Sequence, residues 1–317
     1  MNSAFFIVGP TATGKSELAA DLACKIGAEI VSADAFQLYR RLDLLTAKPD
    51  ASTLAKAPHH LIGITPLHEE MNAENYRRAA SRAIDEIHLR GNLAIVAGGS
   101  GLYIRALTHG LTPLPGSDPK LRATLNAMSL DELHARLTEL DPEAAKKIDL
   151  KNRRRVVRAL EICVLTGKPA SEISRARSAP IATGSGSTIA ATGVFVFRDR
   201  EELYARINQR VESMFENGVI EEVRTAGKVS LTASQMIGFR EIQQLLHGSA
   251  DAGSISQCVA AIQQATRRYS KRQLTWFRRQ TNFLLLNLSL LSHNEAKIVL
   301  RMRSEPRRFS EVRTRND

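Results

Sequence analysis

The sequence predicts an α/β fold in which a parallel sheet is flanked by helices and carries a small all-helical insertion domain. Apolar runs of strand length at residues 5–8, 29–32 and 93–97 alternate with amphipathic helical patterns at residues 16–26 and 72–89. This alternation is typical of βαβ units around a parallel sheet. After residue 110 the strand patterns stop and helical patterns follow one another, which indicates a separate helical segment.

Two low-complexity stretches set the limits of that segment. Residues 111–119 contain three prolines and a glycine, and residues 178–193 consist mainly of Gly, Ser, Thr and Ala. Both compositions are typical of boundaries and linkers. Between them, helical patterns run through residues 121–140, 142–148 and 153–165. We therefore predict an α/β core at residues 1–110 and 194–300 and a helical insertion domain at residues 111–193.

The chain after the insertion continues the core. Residues 194–197 form an apolar run that we expect to return to the sheet, and helical patterns follow at residues 201–217, 238–246 and 254–277. From residue 301 onward the chain is charged and nearly free of apolar residues. Residues 301–317 are therefore predicted to form a disordered tail.

Composition narrows the functional classes. The chain has 317 residues, a formal net charge of +11 and a sequence pI near 9.9, which favours a polyanionic partner such as nucleic acid or a phosphorylated substrate. No window approaches the ~18 continuous apolar residues of a membrane span, and the N-terminus lacks a signal-peptide pattern. We expect a cytoplasmic protein with no membrane partner and, by default, a monomer. Cys24, Cys163 and Cys258 lie singly in apolar helical patterns and are predicted to be buried thiols.

A phosphate-binding loop follows the first predicted strand. Its pattern, G-x-x-x-x-G-K-[ST], is formed by Gly9, Pro10, Thr11, Ala12, Thr13, Gly14, Lys15 and Ser16. The loop stands between an apolar strand and an amphipathic helix, as in P-loop NTPase-like folds. There the backbone amides and the lysine bind phosphate oxygens, and the hydroxyl at the position of Ser16 ligates Mg²⁺. The sequence thus predicts a diphosphate or triphosphate site.

The loop alone does not identify the phosphorylated molecule that it binds. Kinases and ATPases with this loop usually hold Mg²⁺ with an acidic residue at the end of a second apolar strand. Here the apolar run at residues 93–97 ends in Gly98, Gly99 and Ser100, which argues against an ordinary NTPase. A small-molecule kinase using ATP remains an alternative. A non-catalytic nucleic-acid-binding module is a third interpretation, although it leaves the phosphate loop without a use.

Further motifs follow the phosphate loop in a fixed order. They lie at residues 32–40, 46–49, 58–62, 98–103, 153–161, 165–169, 206–210, 237–241 and 265–278. Together they closely resemble the bacterial tRNA dimethylallyltransferases, also called isopentenyl-diphosphate:tRNA transferases, from about Phe5 to Arg279. The chain departs from the family pattern at Ala35, Phe36 and Leu45, within or near the loop expected to contact the base.

The resemblance implies a reaction and a set of reacting groups. The dimethylallyl group of dimethylallyl diphosphate is transferred to N6 of the adenosine 3′-adjacent to the anticodon, in tRNAs that read codons beginning with U, and diphosphate is released. Asp34, at the end of the second strand, is then the candidate general base. Thr11, Lys15 and Arg210, with Mg²⁺ at Ser16, are expected to neutralise the diphosphate. A prenyltransferase acting on free adenine nucleotides would share this chemistry and remains open.

Binding of a tRNA anticodon stem-loop requires a cationic surface and groups that hold a flipped adenine. Gln37 offers a donor and an acceptor to an adenine edge. Two basic runs, at residues 153–158 and 267–279, are predicted to neutralise tRNA phosphates. The first is expected to place three or four of the guanidinium groups of Arg153, Arg154, Arg155 and Arg158 on the exposed face of a helix. With the resemblance, this predicts that the insertion domain at residues 111–193 binds tRNA. The candidate tRNA-binding residues are Asp34, Ala35, Phe36, Gln37, Ser100, Arg154, Arg155, Arg158, Gly238, Arg240, Arg268, Lys271, Arg272 and Trp276.

Overall fold

A six-stranded parallel sheet forms the core of the protein. The computed structural model describes residues 3–111, 114–176, 190–248, 251–280 and 282–304. The strands are β1 (Ser3–Val8), β2 (Glu29–Ser32), β3 (His59–His60), β4 (Ala94–Gly98), β5 (Ala190–Phe197) and β6 (Leu284–Asn287). Their order in the sheet is β3-β2-β4-β1-β5-β6, and every neighbouring pair is parallel. The predicted α/β class with a parallel sheet is confirmed.

Two compact units divide the chain. One consists of Met1–Gly110 and Ser187–Asp317, and the other of Leu111–Gly186. The first unit contains the sheet, a 3₁₀ turn at Ala233–Gln235, and α1 (Lys15–Ile26), α2 (Ala51–Leu54), α3 (Ala73–Leu89), α4 (Gly101–His109), α10 (Arg200–Glu216), α11 (Val219–Arg224), α12 (Phe239–His247), α13 (Ala252–Phe277) and α14 (His293–Ser304). The second contains α5 (Pro119–Ala127), α6 (Leu130–Leu140), α7 (Pro142–Lys147), α8 (Arg153–Thr166) and α9 (Ala170–Ala176).

The sheet is buried on both faces, as a parallel sheet requires. Side chains along β1 alternate between the faces, so that Phe6 joins one apolar cluster and its neighbours Phe5 and Ile7 join another. The first cluster includes Tyr76 of α3, and the second includes Leu22 of α1. The sheet is therefore a packed platform for the loops at its carboxyl end.

The described residues of the second unit, 114–176, contain helices and no strand. Their core is an apolar cluster that includes Leu133, Leu137, Val156 and Leu160. Glu161 is fully buried, and its carboxylate accepts hydrogen bonds from Arg122 and Arg158. The sequence predicted this segment as a tRNA-binding insertion domain at residues 111–193, and that function stays a prediction.

Several boundaries differ from the sequence prediction for identifiable local reasons. The helix expected at residues 121–140 is two helices, because Ser129 caps α6 in a capping box with Glu132. Strand β5 begins at Ala190 rather than at residue 194. A Cβ at Gly193 would lie 2.1 Å from the Phe6 carbonyl oxygen, so this glycine allows the close approach of β1.

The carboxyl-terminal part of the chain differs more from the sequence prediction than the other segments do. The sequence predicted only helices after residue 197, whereas residues 284–287 form the edge strand β6. Helix α14 includes residues 301–304, so these four residues are not part of a disordered tail. Residues 305–317 of that predicted tail, and residues 178–189 of the predicted linker, lie outside the described residues.

Two further findings concern the cysteines and the search for membrane-spanning helices. Cys163 and Cys258 are buried as predicted, but Cys24 is exposed, so the prediction for Cys24 was wrong. It lies on the side of α1 that faces away from the sheet. Across the residues that the structure describes, none of the helices combines the length and apolar character needed to cross a bilayer.

Candidate active site

Three loops meet at the carboxyl end of the sheet. The phosphate loop follows β1, Asp34 follows β2, and Gly99 and Ser100 follow β4. Strand β4 lies between the other two in the sheet, and its Gly98 pairs with Val8 while its Ala97 pairs with Ser32. The three strand ends are thus aligned. Open α/β sheets bind ligands in this position, at the carboxyl ends of their strands.

The phosphate loop has a compact backbone that its sequence permits. A Cβ at Gly9 would lie 2.2 Å from the Val196 carbonyl oxygen of β5. Gly14 has a φ of 91° where the loop turns into the first residue of α1. The Thr13 hydroxyl donates a hydrogen bond of 3.0 Å to the Pro10 carbonyl. The loop therefore wraps the amino terminus of α1, where partial positive charge favours anions.

Two cations occupy the inner side of this loop. The Lys15 Nζ donates to the Pro10 carbonyl at 3.1 Å, and the Arg210 Nη1 donates to the Thr11 hydroxyl at 3.1 Å. Burial lowers the pKa of Lys15 to about 8; the charge of Asp34 opposes this shift and that of Arg210 adds to it. Burial and the nearby Arg206 also lower the pKa of Arg210. A bound anion would relieve both effects.

Two more arginines hold the loop from outside, and the sequence interpretation gave neither a role. The Arg198 Nε donates to the Thr13 carbonyl and the Arg206 Nε to the Ala12 carbonyl, each at 2.9 Å. Arg206 lies four residues before Arg210 on α10, so both reach the loop from one helix face. The four-residue spacing from Arg210 was the sequence signal that could have identified Arg206 as a loop contact. Arg198 directly follows the end of β5.

Asp34 lies half-buried beside these cations. Its Oδ1 accepts a hydrogen bond of 3.0 Å from the Phe36 amide, which is a turn-capping contact. Its charge also acts on Lys15 and Arg210, and it contributes to the raised pKa of the Tyr269 hydroxyl, for which burial is the larger cause. Asp34 therefore caps its own turn and is electrostatically coupled to the phosphate loop.

Neighbouring candidates for tRNA binding organise the loop after β2. The Ala35 amide donates to the Ser100 hydroxyl at 2.9 Å, which links the loops after β2 and β4. The Gln37 Nε2 donates to the Ala47 carbonyl at 2.9 Å. Phe36 packs against an apolar cluster that includes Leu45. These contacts give each residue a structural function, and their tRNA contacts stay predictions.

The long helix α13 forms hydrogen bonds with the phosphate loop and with the loop after β4. The Gln273 side chain accepts a hydrogen bond of 3.0 Å from the Thr11 amide and donates one of 2.9 Å to the Gly99 carbonyl. Sequence reasoning quoted Gln273 within a motif but assigned it no role. Trp276 is half-buried and contacts the position of Gly101. Three predicted tRNA contacts on the same helix are exposed: Arg268, Lys271 and Arg272.

The sequence predicted three or four exposed guanidinium groups in the basic run on α8, and the structure exposes two of the four arginines. Arg154 and Arg155 are exposed. Arg158 instead pairs with the buried Glu161 and donates to the Pro115 carbonyl at 2.9 Å. Arg153 donates to the Asn126 carbonyl at 2.7 Å, near the end of α5. Arg153 and Arg158 therefore stabilise the helical unit.

The remaining candidates lie at the start of α12. Gly238 is buried, with a φ of 93°, and a Cβ there would lie 3.0 Å from the Leu45 Cδ1. The positive φ favours glycine here, and a larger residue would also press against the Leu45 side chain. Arg240 is exposed. Leu45, a departure from the family pattern, is accommodated by this contact and by a bond from its amide to Glu222.

Comparisons with known proteins agree with the resemblance. The family model described as IPP transferase matches residues 37–280. A relative from Citrifermentans bemidjiense named tRNA dimethylallyltransferase 1 is 44% identical over 282 residues, covering 88% of this chain and 90% of the relative. Another, from Akkermansia muciniphila and named tRNA dimethylallyltransferase, is 42% identical over 275 residues, covering 87% and 90%.

Solved structures with the same fold also carry related names. The full-length tRNA isopentenylpyrophosphate transferase of Bacillus halodurans is 32% identical, with a TM-score of 0.68 and coverage of 95% of each chain. A eukaryotic dimethylallyltransferase described as acting on tRNA is 26% identical, with a TM-score of 0.73, covering 90% of this chain and 74% of that one.

Proposed function

The chain belongs to the IPP transferase family, and on that premise we propose that it is a tRNA dimethylallyltransferase. It transfers the dimethylallyl group from dimethylallyl diphosphate to N6 of the adenosine 3′-adjacent to the anticodon, in tRNAs that read codons beginning with U. The observation that carries the proposal is the alignment of the ends of β1, β2 and β4, which brings the phosphate loop and Asp34 to the same edge of the sheet. In this proposal Asp34 is the base and the phosphate loop is the diphosphate site.

In this proposal the phosphate loop stabilises the diphosphate leaving group. As the bond from C1 of the donor to its oxygen breaks, negative charge grows on the diphosphate, and prepositioned cations stabilise it. Lys15 supplies a single charge, and Arg210 supplies a planar pair of donors held against Thr11. Both residues are half-buried, so their contacts with a phosphate are screened less than they would be in bulk water.

Proton removal falls to Asp34. The exocyclic amine of adenine is a weak nucleophile and becomes positively charged as it bonds to C1 of the donor. A carboxylate within hydrogen-bond reach takes that proton and drives the transfer forward. The Phe36 amide holds Oδ1 of Asp34, which fixes the orientation of the carboxylate relative to the phosphate loop.

Mg²⁺ is part of the proposal, with Ser16 as its protein ligand. Ser16 offers a hydroxyl oxygen at the phosphate loop, and Mg²⁺ is commonly bound through one or two protein oxygens, phosphate oxygens and water. When bound, it neutralises charge on the diphosphate.

Each unit is proposed to offer its own exposed basic group to tRNA phosphates. Arg154 and Arg155 offer two cations on α8, and Arg268, Lys271 and Arg272 offer three on α13. Cationic contacts of this kind bind the phosphates of a stem-loop while the target adenine leaves its stack. A cytoplasmic location and a monomeric state complete the proposal.

The proposed function is tested by supplying the competing substrates side by side. Purified protein is incubated with Mg²⁺ and labelled dimethylallyl diphosphate, with bulk tRNA or with AMP, and separately with labelled ATP. We expect label only in tRNA, at N6 of one adenosine after nuclease digestion. Label in AMP would favour a prenyltransferase of free nucleotides, and phosphoryl transfer from ATP without prenyl transfer would favour a kinase. Either result contradicts the proposal.

A further inference from the structure

One buried side chain joins two loops of the proposed active site to helix α13. Gln273 is 5% exposed. Its Oε1 accepts a hydrogen bond of 3.0 Å from the Thr11 amide in the phosphate loop, and its Nε2 donates one of 2.9 Å to the Gly99 carbonyl after β4. Both ends of the amide are therefore engaged, one on each loop.

The helix packs against these loops without intervening space. A Cβ at Gly99 would lie 2.3 Å from the Gln273 Nε2, and a Cβ at Gly101 would lie 2.6 Å from the Trp276 Cδ2. Only glycine fits at such separations. A displacement of α13 at this level would therefore move the loop backbone with it, because packed contacts of this kind transmit small shifts.

The neighbouring positions on α13 are cationic and exposed. Arg272 directly precedes Gln273, Lys271 precedes Arg272, and Arg268 lies about one turn before Arg272. The Arg272 guanidinium lies over the ring of Tyr269, 5.6 Å from its centroid. One face of this helix thus presents cations suited to RNA phosphates, while Gln273 and Trp276 contact the site loops.

The Thr11 contact connects this helix to the diphosphate groups. Thr11 is held from two sides, by Gln273 at its amide and by Arg210 at its hydroxyl. The position of Thr11 therefore determines how the Arg210 guanidinium faces the phosphate loop.

We propose that Gln273 is a positioning residue that couples RNA binding on α13 to diphosphate binding at the phosphate loop. The inference rests on the proposed function, because it takes tRNA and a diphosphate as the two ligands. RNA bound to Arg268, Lys271 and Arg272 holds α13 in place, and the Gln273 amide then holds Thr11 and Gly99 in the geometry that binds diphosphate. Such coupling is reciprocal, so diphosphate must tighten RNA binding by the same factor.

Equilibrium binding of inorganic diphosphate with Mg²⁺, in the absence and presence of an anticodon stem-loop RNA, tests this coupling. In the wild type, RNA should tighten diphosphate binding by at least ~5-fold, the lower end of typical couplings. In Gln273→Met, diphosphate binding alone should weaken about tenfold, as expected for two lost hydrogen bonds. The tightening by RNA should fall below about twofold, while the affinity for RNA alone stays within about twofold of wild type.

Gln263→Met is the matched control on the same helix. Its side chain bonds to the Asn208 carbonyl and to Glu212 of α10, away from the phosphate loop. The coupling in this variant should equal that of the wild type. Gln273→Asn gives a second test if the methionine variant does not fold, because its shorter amide cannot span both loops. It should lose the coupling in the same way.

Three results would overturn the inference. These are a wild type in which RNA leaves diphosphate affinity unchanged, a Gln273 variant that keeps the coupling, and a variant in which thermal stability and both affinities fall together, as a purely structural role predicts. A wild type that shows the coupling but transfers no dimethylallyl group would instead contradict the proposed function alone. An active wild type without the coupling would contradict this inference alone.

Discussion

Arg210 and Thr11 are 199 residues apart in sequence and are joined by a hydrogen bond of 3.1 Å from the guanidinium Nη1 to the threonine hydroxyl. The bond connects helix α10 with the phosphate loop. It orients a half-buried guanidinium whose pKa is lowered mainly by burial and also by Arg206. If the pair binds diphosphate as proposed, the two residues should act as one unit.

Substitution of this pair should give non-additive losses. Arg210→Ala should raise the KM for dimethylallyl diphosphate by ~10- to 100-fold, the range for hydrogen bonds to charged groups. Thr11→Val should cost only ~5-fold, because it frees the guanidinium without removing it. The double variant should be no worse than Arg210→Ala alone. Steady-state kinetics on the wild type, the two single variants and the double variant measure these KM values. If the two single increases in KM multiply in the double variant, the two residues act independently.

Lys15 should serve binding at the expense of stability. Its ammonium is charged at pH 7, yet burial lowers its pKa to about 8, so the fold bears part of its desolvation cost. Lys15→Met should therefore raise the Tm by ~2 °C and remove measurable diphosphate binding. Calorimetry with and without diphosphate gives both quantities. A lower Tm would show that the cation is a net stabilising element of the loop.

The basic group on α8 should contribute through Arg154 and Arg155. Replacing both with Gln should lower the slope of log affinity for tRNA against log salt by about 1.5, since each phosphate contact adds roughly 0.7 to 0.9. Arg158→Gln is the contrasting variant, because it removes a partner of the buried Glu161. It should lower the Tm and leave the slope unchanged. If the double variant keeps the wild-type slope, tRNA is held elsewhere.

Glu29 should make the free energy of unfolding depend on pH below about 4.5. The hydrogen bond from Arg90 lowers the pKa of the Glu29 carboxyl from 4.5 to about 2, against the opposing effect of burial. A carboxyl whose pKa is lowered in the fold stabilises it above the unfolded pKa and loses this contribution as pH falls through the folded pKa. Glu29→Gln should therefore cost ~2 kcal/mol at pH 7, and the difference from wild type should vanish between pH 4.5 and 2.

Urea unfolding of both proteins across this pH range measures the effect. Arg90→Met should reproduce the profile, because it removes the main cause of the lowered pKa. A difference between Glu29→Gln and the wild type that stays constant down to pH 2 would mean that the carboxylate charge is not what stabilises β2.

Local patterns were sufficient to predict much of the sheet and the phosphate loop. Strand β2 has the predicted bounds, and β1 and β4 differ from them by two residues or fewer at each end. Burial on both faces makes such strands continuous apolar runs. By contrast, β3 has only two residues and β6 exposes Leu284 and Leu285, so neither carries that signal.

Contacts between distant segments explain what the sequence could not predict. Thr11 and Gln273 are 262 residues apart, and no local pattern reports their contact. Arg158 and Glu161 are spaced as an ion pair on one helix turn, which was a visible signal. That Glu161 is buried depends on the packing of α5 and α6 around α8, so the sequence alone could not separate Arg158 from the exposed Arg154 and Arg155.

The role of Asp34 as general base is tested most directly by Asp34→Asn in single-turnover transfer from dimethylallyl diphosphate to an anticodon stem-loop RNA. Asparagine keeps the size of the side chain and an oxygen for the Phe36 amide, but it cannot take the amine proton. The account predicts a transfer rate at least ~10²-fold below wild type, the lower end of general-base contributions, with RNA affinity unchanged. A rate within threefold of wild type would contradict it, and the proton would then have to leave by another group.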